Sequence, residues 1–276
     1  MNESKIAILL STYNGEGYLK EQLDSILDQT HTDWALYVRD DGSTDRTLAI
    51  LKQYASEYDN IYIMDDVVHR DACYSFLWML NEVDSDYYMF CDQDDVWIDN
   101  KIEISYKAMI TQEKQTPCIP IVVNTDLVVV DSELRNINPS FWRYAKINPY
   151  PLNSYNYIVT NYLTGCTMLF NRYAKDVSFK LNNYILMHDY WVALNVLHND
   201  GLVIPLPLKT VLYRQHGSNK LGAVKSNISV RSKMHDIRTI YTYNKNLFKM
   251  VNSVTGVSLM FFLKRKFFVY LTNIIN

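Results

Sequence analysis

Three aspartates stand directly behind a short apolar run about one third of the way along the chain. Asp92, Asp94 and Asp95 follow residues 87–91, whose side chains are typical of a buried strand in a parallel sheet. Asp92 and Asp94 are two positions apart, so extended backbone projects both to one side, where they can share a cation with a diphosphate. Oxygen ligands of this kind favour Mg²⁺ or Mn²⁺. On this stretch alone, an acidic turn that caps the next helix explains the residues equally well.

Two further polar segments follow predicted strands and are expected at the same edge of the sheet. Residues 11–14 (Ser-Thr-Tyr-Asn) follow a strand at 6–10, and the pair Asp40-Asp41 follows a strand at 34–38. In open α/β sheets, ligands bind beyond the carboxyl ends of the strands. Residues 15–17 (Gly-Glu-Gly) lack the third glycine of a dinucleotide-binding turn, and the sequence has no Gly-Lys-Ser/Thr of a P-loop. A pocket with acids at its phosphate end must bind an anionic ligand through a metal.

Alternating strands and helices are predicted to position these segments. Strands are predicted at 6–10, 34–38, 61–64 and 87–91, and helices at 18–29, 48–58 and 74–83. Such alternation implies right-handed crossovers and a mostly parallel, doubly wound α/β sheet flanked by helices. Beyond the acids we predict helices at 101–113 and 187–197, strands at 119–124, 127–130, 164–170, 202–204 and 210–213, and a loop at 131–156.

Composition and charge suggest an acidic body with a basic tail. The chain has 276 residues and a formal net charge of −3, from 27 Lys and Arg and 30 Asp and Glu. From Lys220 onward we count ten basic residues and one acid, Asp236, which leaves 17 basic and 29 acidic residues before that point. Four cysteines stand far apart without a C-x-x-C pair, which indicates reduced thiols in the cytoplasm. The amino terminus runs straight into a predicted strand, so we expect no signal peptide.

The tail, residues 221–276, is predicted to be an amphipathic helical appendage to a catalytic domain at 1–220. An apolar stripe at helical spacing is formed by Val230, Met234, Ile237, Tyr241, Phe248 and Val251, with basic residues between them. Residues 259–263 and 267–271 are apolar but are separated by Lys264, Arg265 and Lys266, so neither reaches the roughly 20 apolar residues of a membrane span. We expect the tail to lie on the inner face of the plasma membrane. The alternative is that it packs on the body or pairs subunits in a homodimer.

Five motifs together resemble those of family 2 glycosyltransferases with a GT-A fold. They are residues 11–15 (STYNG), 40–45 (DDGSTD), 92–97 (DQDDVW), 188–189 (HD) and 215–216 (QH), which occur in the family's order over about residues 5–220. The forms DQDDVW and RQHGSN (214–219) are similar to the bacterial rhamnosyltransferase-like branch, which builds surface polysaccharides from dTDP-L-rhamnose. The resemblance implies a GT-A, Rossmann-like sheet with a helical tail.

The resemblance also implies roles for individual residues. Donor contacts are implied for Thr12, Tyr13, Asp41, Arg70 and Asp92, with Tyr13 and Asp41 at the nucleotide base. Metal ligands are implied at Asp92, Asp94 and His216. Asp189 matches the general base, and the flanking His188 and Trp191 are expected to orient the acceptor. From the residues alone, Asp41 can instead cap its turn, Asp189 can cap a helix and His216 can be a solvated side chain.

The predicted activity is a single inverting displacement that uses a divalent metal, Mg²⁺ or Mn²⁺. The expected partners are a dTDP- or UDP-sugar donor and a glycan or lipid-linked acceptor, with no nucleic acid. Three alternatives stay open: a transferase for a UDP-hexose or UDP-N-acetylhexosamine, a sugar nucleotidyltransferase, and a non-catalytic nucleotide-sugar binding module. A nucleotidyltransferase calls for a glycine-rich, Arg-containing loop after the first strand, where this chain has Ser-Thr-Tyr-Asn.

Overall fold

The computed structural model describes residues 6–65, 71–150, 154–179, 182–216 and 233–275. Within them, nine strands form a single sheet in the order β3-β2-β1-β4-β8-β6-β9-β5, with β7 paired to β6 off this path. The strands are β1 (Ile6–Thr12), β2 (Trp34–Asp40), β3 (Ile61–Ile63), β4 (Tyr87–Asp92), β5 (Val96–Trp97), β6 (Ile121–Val130), β7 (Asn136–Asn138), β8 (Met168–Asn171) and β9 (Leu202–Arg214).

Ten α-helices and one 3₁₀ turn are found among the described residues. The helices are α1 (Leu19–Leu27), α2 (Thr47–Glu57), α3 (Ala72–Glu82), α4 (Lys101–Gln115), α5 (Phe141–Tyr144), α6 (Ser154–Tyr157), α7 (Arg172–Ser178), α8 (His188–His198), α9 (Lys233–Thr255) and α10 (Leu259–Ile275); the 3₁₀ turn is Gly165–Thr167. The predicted α/β architecture with carboxyl-terminal helices is therefore confirmed.

The amino-terminal half of the sheet is parallel, as its alternating sequence predicts. Strand β1 lies between β2 and β4 and is parallel to both, and its side chains alternate between two buried layers. Ile8 and Leu10 pack on the side of α1 and α4, whereas Ala7 and Leu9 pack on the side of α3 and α8. Both faces of the strand are covered, which explains why it is an unbroken apolar run.

The carboxyl-terminal half of the sheet is mixed, so the prediction of a mostly parallel, doubly wound sheet holds only for the amino-terminal half. Strand β8 is antiparallel to both β4 and β6, whereas β6 and β9 are parallel. The strands predicted separately at 119–124 and 127–130 form one strand, β6, and those predicted at 202–204 and 210–213 form one strand, β9. Register shifts between Thr125 and Val128 let β9 stay paired around Pro205 and Pro207, which have no N–H to donate. The predicted loop at 131–156 contains β7, α5 and α6.

The carboxyl-terminal helices pack on the catalytic body. Leu247, Met250 and Val251 of α9 and Phe262 of α10 are buried in the same core as α8. The predicted membrane-facing stripe on α9 is therefore wrong for Phe248 and Val251, because both pack against that core. Among the described residues, no single helix combines the length and apolar composition of a membrane span. One pair of helical segments meets that criterion when taken together. The pair consists of Thr239–Thr255 and Leu259–Val269, with a 115° bend between them. The predicted boundary at residue 220 lies outside the described residues.

Candidate active site

The polar segments behind β1, β2 and β4 meet at one edge of the sheet. The strand registers place Thr12 beside Asp40 and Ser11 beside Asp92. The Thr12 hydroxyl donates to Asp40 Oδ1 at 2.9 Å. The predicted convergence of these segments therefore occurs in the fold, because all three strands run in the same direction.

Gln93 ties the loop after β1 to the loop after β4, a role that sequence reasoning did not assign to it. Its side-chain amide accepts a hydrogen bond from Tyr13 N at 2.9 Å and donates one to Tyr13 O at 3.0 Å. A Cβ atom on Gly15 would lie 2.3 Å from Gln93 Oε1, so a side chain at this position would displace the Gln93 amide. The Tyr13 ring is left exposed at the rim of the edge.

Asp40, rather than Asp41, closes the turn after β2. Its carboxylate accepts hydrogen bonds from the backbone N–H groups of Gly42 and Ser43, at 3.2 and 2.8 Å. Asp41 Oδ1 lies 2.8 Å from the guanidinium of the buried Arg39. These two turn hydrogen bonds go to Asp40, and the contact of Asp41 with a nucleotide base stays a prediction.

Asp94 and His216 are brought together from distant parts of the chain. The Nε2 atom of His216 lies 2.8 Å from Asp94 Oδ2, and both side chains are mostly buried. The His216 ring packs on Tyr18, with ring centroids 4.7 Å apart. Two of the three predicted metal ligands thus lie within hydrogen-bond distance of each other.

Arg214 holds this pair in position. Its guanidinium donates to the backbone carbonyls of Asp94, at 2.8 Å, and of Ser132, at 2.6 Å, and pairs with Glu21 of α1. The same guanidinium lies over the Tyr18 ring, 4.6 Å from its centroid. Because it joins β9, α1 and the loop after β4, a planar five-donor group is needed here. The sequence offers no signal that separates Arg214 from other arginines near a motif.

The environment of Asp92 favours the protonated form of its carboxyl group. Burial and the negative charges of Asp94 and Asp189 raise the pKa of Asp92 to about 7. Asp189 accepts a hydrogen bond from Gly165 N, and the sulfur of Cys166 lies within 4.8 Å of Asp92, so Asp189 and Asp92 both lie next to residues 165–166. Mutual repulsion among three carboxylates is relieved by a bound cation.

A second group of donor atoms lies deeper than the Asp94–His216 pair. Side-chain donor atoms of Asp92, Asp95 and Cys166 lie within 4.8 Å of one another. Burial raises the pKa of the Cys166 thiol well above its usual value, so the sulfur stays protonated and suits Mg²⁺ or Mn²⁺ poorly. Asp95 is also committed to the backbone, because its Oδ1 accepts from Arg214 N at 3.1 Å. The oxygen and nitrogen donors of Asp92, Asp94 and His216 therefore fit a hard divalent cation better.

Asp189 lies in the first turn of α8, one residue inside the helix. It is not the cap, which is Met187, and its Oδ1 accepts a hydrogen bond from Tyr190 N at 2.6 Å. Burial raises the pKa of Asp189 to about 6, and hydrogen bonds from Tyr190 N, the Asn161 side chain and Gly165 N oppose the rise. A carboxylate with this pKa is ionised at neutral pH and is a stronger base than an ordinary aspartate.

Tyrosines on three helices are affected by the negative charge of Asp189, and sequence reasoning missed them. The negative charge of Asp189 adds to burial in raising the pKa of Tyr157 (α6), Tyr190 (α8) and Tyr243 (α9). The Tyr190 hydroxyl donates to Tyr157 O, which fixes α6 against α8. Helix α9 of the tail thus carries a side chain that is affected by the charge of the predicted base.

The prediction that His188 orients the acceptor is wrong. Its ring is buried between Phe76 and Phe90, with centroids 4.2 and 4.6 Å away, and a Cβ atom on Gly165 would lie 2.6 Å from His188 Nε2. Neither ring nitrogen has a hydrogen-bond partner among the described residues. Burial lowers the pKa of His188 to about 3, so the imidazole is a neutral packing group.

The prediction that Trp191 contacts the acceptor is also wrong. Trp191 is 1% exposed, and its indole Nε1 donates to Ser178 O at 2.8 Å, which turns the ring into the core beside α7. It follows Asp189 by two positions, so it projects from another side of the helix. Arg70, the remaining predicted donor contact, lies outside the described residues.

Comparison with known proteins identifies the family to which this chain belongs. The model of the family described as Glycosyl transferase family 2 matches residues 7–178, more than half of the chain. The chain belongs to this family and is a glycosyltransferase. The matched region contains β1 to β4 and the acidic loop, whereas α8, His216 and the tail lie beyond it.

Similar proteins agree with that assignment over most of the chain. The dTDP-rhamnosyl transferase RfbG of Shigella flexneri is 27% identical, over 90% of this glycosyltransferase and 86% of that protein. An Escherichia coli relative, the UDP-Glc:alpha-D-GlcNAc-diphosphoundecaprenol beta-1,3-glucosyltransferase WfgD, is 24% identical over 73% of each chain. The solved structure of the mannosyltransferase PcManGT from Pyrobaculum calidifontis, in complex with GDP-Man and Mn²⁺, has the same fold. It aligns with a TM-score of 0.59 and 14% identity, over 98% of this chain and 81% of that one.

Proposed function

We propose that the chain is an inverting, metal-dependent transferase that moves L-rhamnose from dTDP-L-rhamnose to a hydroxyl group of a cell-surface polysaccharide or lipid-linked glycan. The observation that carries the proposal is geometric: Asp189 accepts a hydrogen bond from Gly165 N, and the sulfur of the next residue, Cys166, lies within 4.8 Å of a carboxylate oxygen of Asp92. A base and a set of cation ligands in one pocket are what a single displacement at an anomeric carbon requires.

In this proposal Asp189 acts as the general base. Its carboxylate accepts the proton of the acceptor hydroxyl while the oxygen attacks the anomeric carbon of the donor. One carboxylate is enough, since no glycosyl-enzyme intermediate forms, in contrast to the carboxylate pair of a retaining glycosidase. The hydrogen bond from Tyr190 N holds one carboxylate oxygen and so orients the other.

Asp92, Asp94 and His216 are the residues that would hold the divalent cation, Mg²⁺ or Mn²⁺. The 2.8 Å contact between Asp94 and His216 brings an oxygen and a nitrogen ligand to one place, and Asp92 is two positions before Asp94 in the chain. A cation held by these residues would supply positive charge to neutralise the departing nucleoside diphosphate. Arg214 holds the backbone of Asp94, and Gln93 holds the loop that carries Tyr13 toward the nucleotide. The Mn²⁺ complex of the Pyrobaculum enzyme supports this class of cofactor.

The relatives support rhamnose as the donor sugar and leave one alternative. RfbG of Shigella flexneri is a dTDP-rhamnosyl transferase, and its similarity extends over nine tenths of this chain. The Escherichia coli relative uses UDP-Glc and a diphosphoundecaprenol-linked acceptor, which favours a UDP-hexose as the second candidate donor and a lipid-linked glycan as acceptor. We place the enzyme in the cytoplasm, where its four free cysteines stay reduced.

A donor panel tests the proposal. The full chain is incubated with Mn²⁺ and dTDP-rhamnose, UDP-Glc, UDP-GlcNAc or GDP-Man, and the release of nucleoside diphosphate is measured without acceptor. We expect the fastest release from dTDP-rhamnose. Faster release from a UDP-sugar would replace rhamnose by the second candidate. No release from any donor, despite donor binding observed by saturation-transfer NMR, would favour a binding module.

A further inference from the structure

Helix α10 is attached to the body by its inner face. Phe262 and Val269, seven positions apart, are buried against the core. Between them, the Arg265 guanidinium donates to Tyr155 O at 3.3 Å and to the Asn156 side chain, and the Lys266 ammonium donates to Asn244 of α9. The inner face therefore provides the contacts that hold α10 on the body.

The outer face of α10, which we define as Met260, Leu263, Phe267 and Phe268, is apolar as well. Met260, Leu263 and Phe267 follow the spacing i, i+3, i+7 and are 67%, 55% and 64% exposed. Phe268 beside them is 53% exposed. A surface helix of a globular protein normally turns its polar side to water. Here the most exposed side chains are large and apolar, and such a contiguous patch marks an interaction site.

Basic residues flank the outer face. Residues 239–269 contain five Lys and Arg and no Asp or Glu. Lys264 is exposed next to Leu263, and Lys245 is exposed on the neighbouring helix α9. Ile240 and Tyr241 of α9, at 58% and 65% exposure, add apolar surface. Aromatic and aliphatic side chains beside lysines match an anionic lipid interface, where headgroups attract the charges and the acyl boundary accepts the rings.

We propose that the outer face of α10 docks on an anionic phospholipid membrane, with the helix lying in the interface. A second copy of the chain suits the surface less well, since a two-fold contact would set Lys264 and its basic neighbours against their own copies. Phospholipid headgroups neutralise the same charges. The membrane contact needs only a few side chains, because each basic residue near an anionic surface adds about 1 kcal/mol of binding free energy.

Docking by α10 brings the membrane to the side of the molecule that contains the base. Helix α10 packs on α6, and Tyr157 of α6 accepts a hydrogen bond from the Tyr190 hydroxyl next to Asp189. The short helix α6 thus connects the outer helix to the environment of Asp189. A lipid-linked acceptor held at this surface would reach the site from the bilayer, a conclusion that rests on the proposed function, whereas the membrane contact itself does not.

Vesicle flotation of the full chain tests the membrane contact. Vesicles of phosphatidylcholine alone are compared with vesicles that contain 30% phosphatidylglycerol, at low and high salt. We expect the wild type to float with the anionic vesicles, to be released by high salt and to float poorly with phosphatidylcholine alone. The double variant Leu263→Ser/Phe267→Ser should lose at least tenfold in vesicle affinity. The matched control Ile137→Ser/Leu208→Ser removes two exposed apolar side chains outside the tail and should bind like the wild type.

A charge variant and an activity measurement separate the outcomes. Lys264→Glu changes no apolar packing and should weaken binding to anionic vesicles several-fold. Release of nucleoside diphosphate without vesicles should be unchanged in all of these variants, so failure of the membrane contact is distinguishable from failure of the proposed function. A wild type that stays at the bottom of the gradient overturns the proposal. So does a dimer in sedimentation equilibrium that Leu263→Ser/Phe267→Ser dissociates while vesicle binding is absent.

Discussion

His216 and Asp94 lie 122 positions apart in the chain, yet Nε2 of His216 is 2.8 Å from Oδ2 of Asp94. The contact joins the end of β9 to the loop after β4. It exists because β5 pairs with β9 immediately before His216, which brings residues 94–97 alongside residues 211–216. The predicted metal site thus depends on the antiparallel pairing of β5 with β9, to which β5 contributes only two residues.

The first prediction concerns metal affinity. Asp94→Asn and His216→Ala each remove a proposed ligand and should weaken Mn²⁺ binding at least tenfold, as is common for changes around metal ligands. Electron paramagnetic resonance of free Mn²⁺ during titration of the full chain measures this. Asp59→Asn, an exposed aspartate away from the site, is the control. Unchanged Mn²⁺ affinity in both ligand variants would contradict the assignment.

The second prediction concerns Arg214 as a positioning residue. Arg214→Lys keeps the charge but loses the planar group that reaches Asp94 O, Ser132 O and Glu21 together. We expect kcat/KM to fall by roughly 10–100-fold together with a loss of Mn²⁺ affinity, because the Asp94 backbone is no longer held. Arg135→Lys, at an exposed ion pair, should change neither quantity. If Arg214→Lys lowers only the melting temperature, the residue is structural and has no positioning role.

The amino-terminal half of this fold was predictable because its signals are local. Apolar runs such as residues 6–10 and 87–91 fix buried strands, and the polar residues that follow them must emerge at one edge. The joining of the predicted strands 202–204 and 210–213 into one strand, β9, was not predictable. Pro205 and Pro207 indicate a break in the strand, but register shifts in the pairing of β6 with β9 allow the strand to continue past them. Long-range contacts such as Asp94 with His216 came only from the family resemblance.

Neighbours of Asp189 in sequence were a poor guide to its neighbours in space. Helix α8 is buried on nearly all sides, so its sequence has no polar stripe to show which face meets the pocket. His188 and Trp191 therefore look equally suited to an acceptor site, yet both point into the core. Tyr157 of α6 and Tyr243 of α9, whose pKa values are raised in part by the charge of Asp189, are 32 and 54 positions from it and carry no motif.

The third prediction concerns the pH dependence of catalysis. Asp189 must be ionised to act as a base, and its pKa is raised to about 6, so kcat should fall as the pH drops through about 6. Asp189→Asn should lower kcat by roughly 10²–10⁴ and abolish this acidic limb. Donor binding should change little. Steady-state rates between pH 5 and 9 measure this, and a variant within threefold of the wild type would refute the role.

The fourth prediction concerns the free energy of unfolding, which the buried, ionised carboxylate of Asp189 lowers. Its pKa is raised above the usual 3.8 in the folded state, so the folded protein binds this proton more tightly than the unfolded chain. The contribution of the protonated Asp189 carboxyl group to the free energy of unfolding is therefore fully present below pH 3.8, and it is lost as the pH rises to about 6. Asp189→Asn should stabilise the protein at pH 8 by about 2–3 kcal/mol, since each unit of pKa difference corresponds to about 1.4 kcal/mol.

Urea unfolding at pH 8 and at pH 4.5 tests this cost. The stabilising effect of Asp189→Asn should shrink at pH 4.5, because the wild-type carboxyl group is protonated there in the folded state. Asp33→Asn, at an exposed aspartate before β2, is the control and should show no such pH dependence. A destabilised Asp189→Asn at pH 8 would contradict the prediction and would mean that the hydrogen bonds to the carboxylate outweigh its burial cost.

The central claim, an inverting transfer from a nucleotide sugar, is tested most directly by time-resolved proton NMR of dTDP-rhamnose with the full chain and Mn²⁺. We predict that the donor is consumed and that the first sugar released has the anomeric configuration opposite to that of the donor, before mutarotation equilibrates the two anomers. Release with the donor's own configuration would contradict a single displacement with Asp189 as base, and a donor that persists unchanged alongside every other nucleotide sugar of the panel would contradict the activity itself.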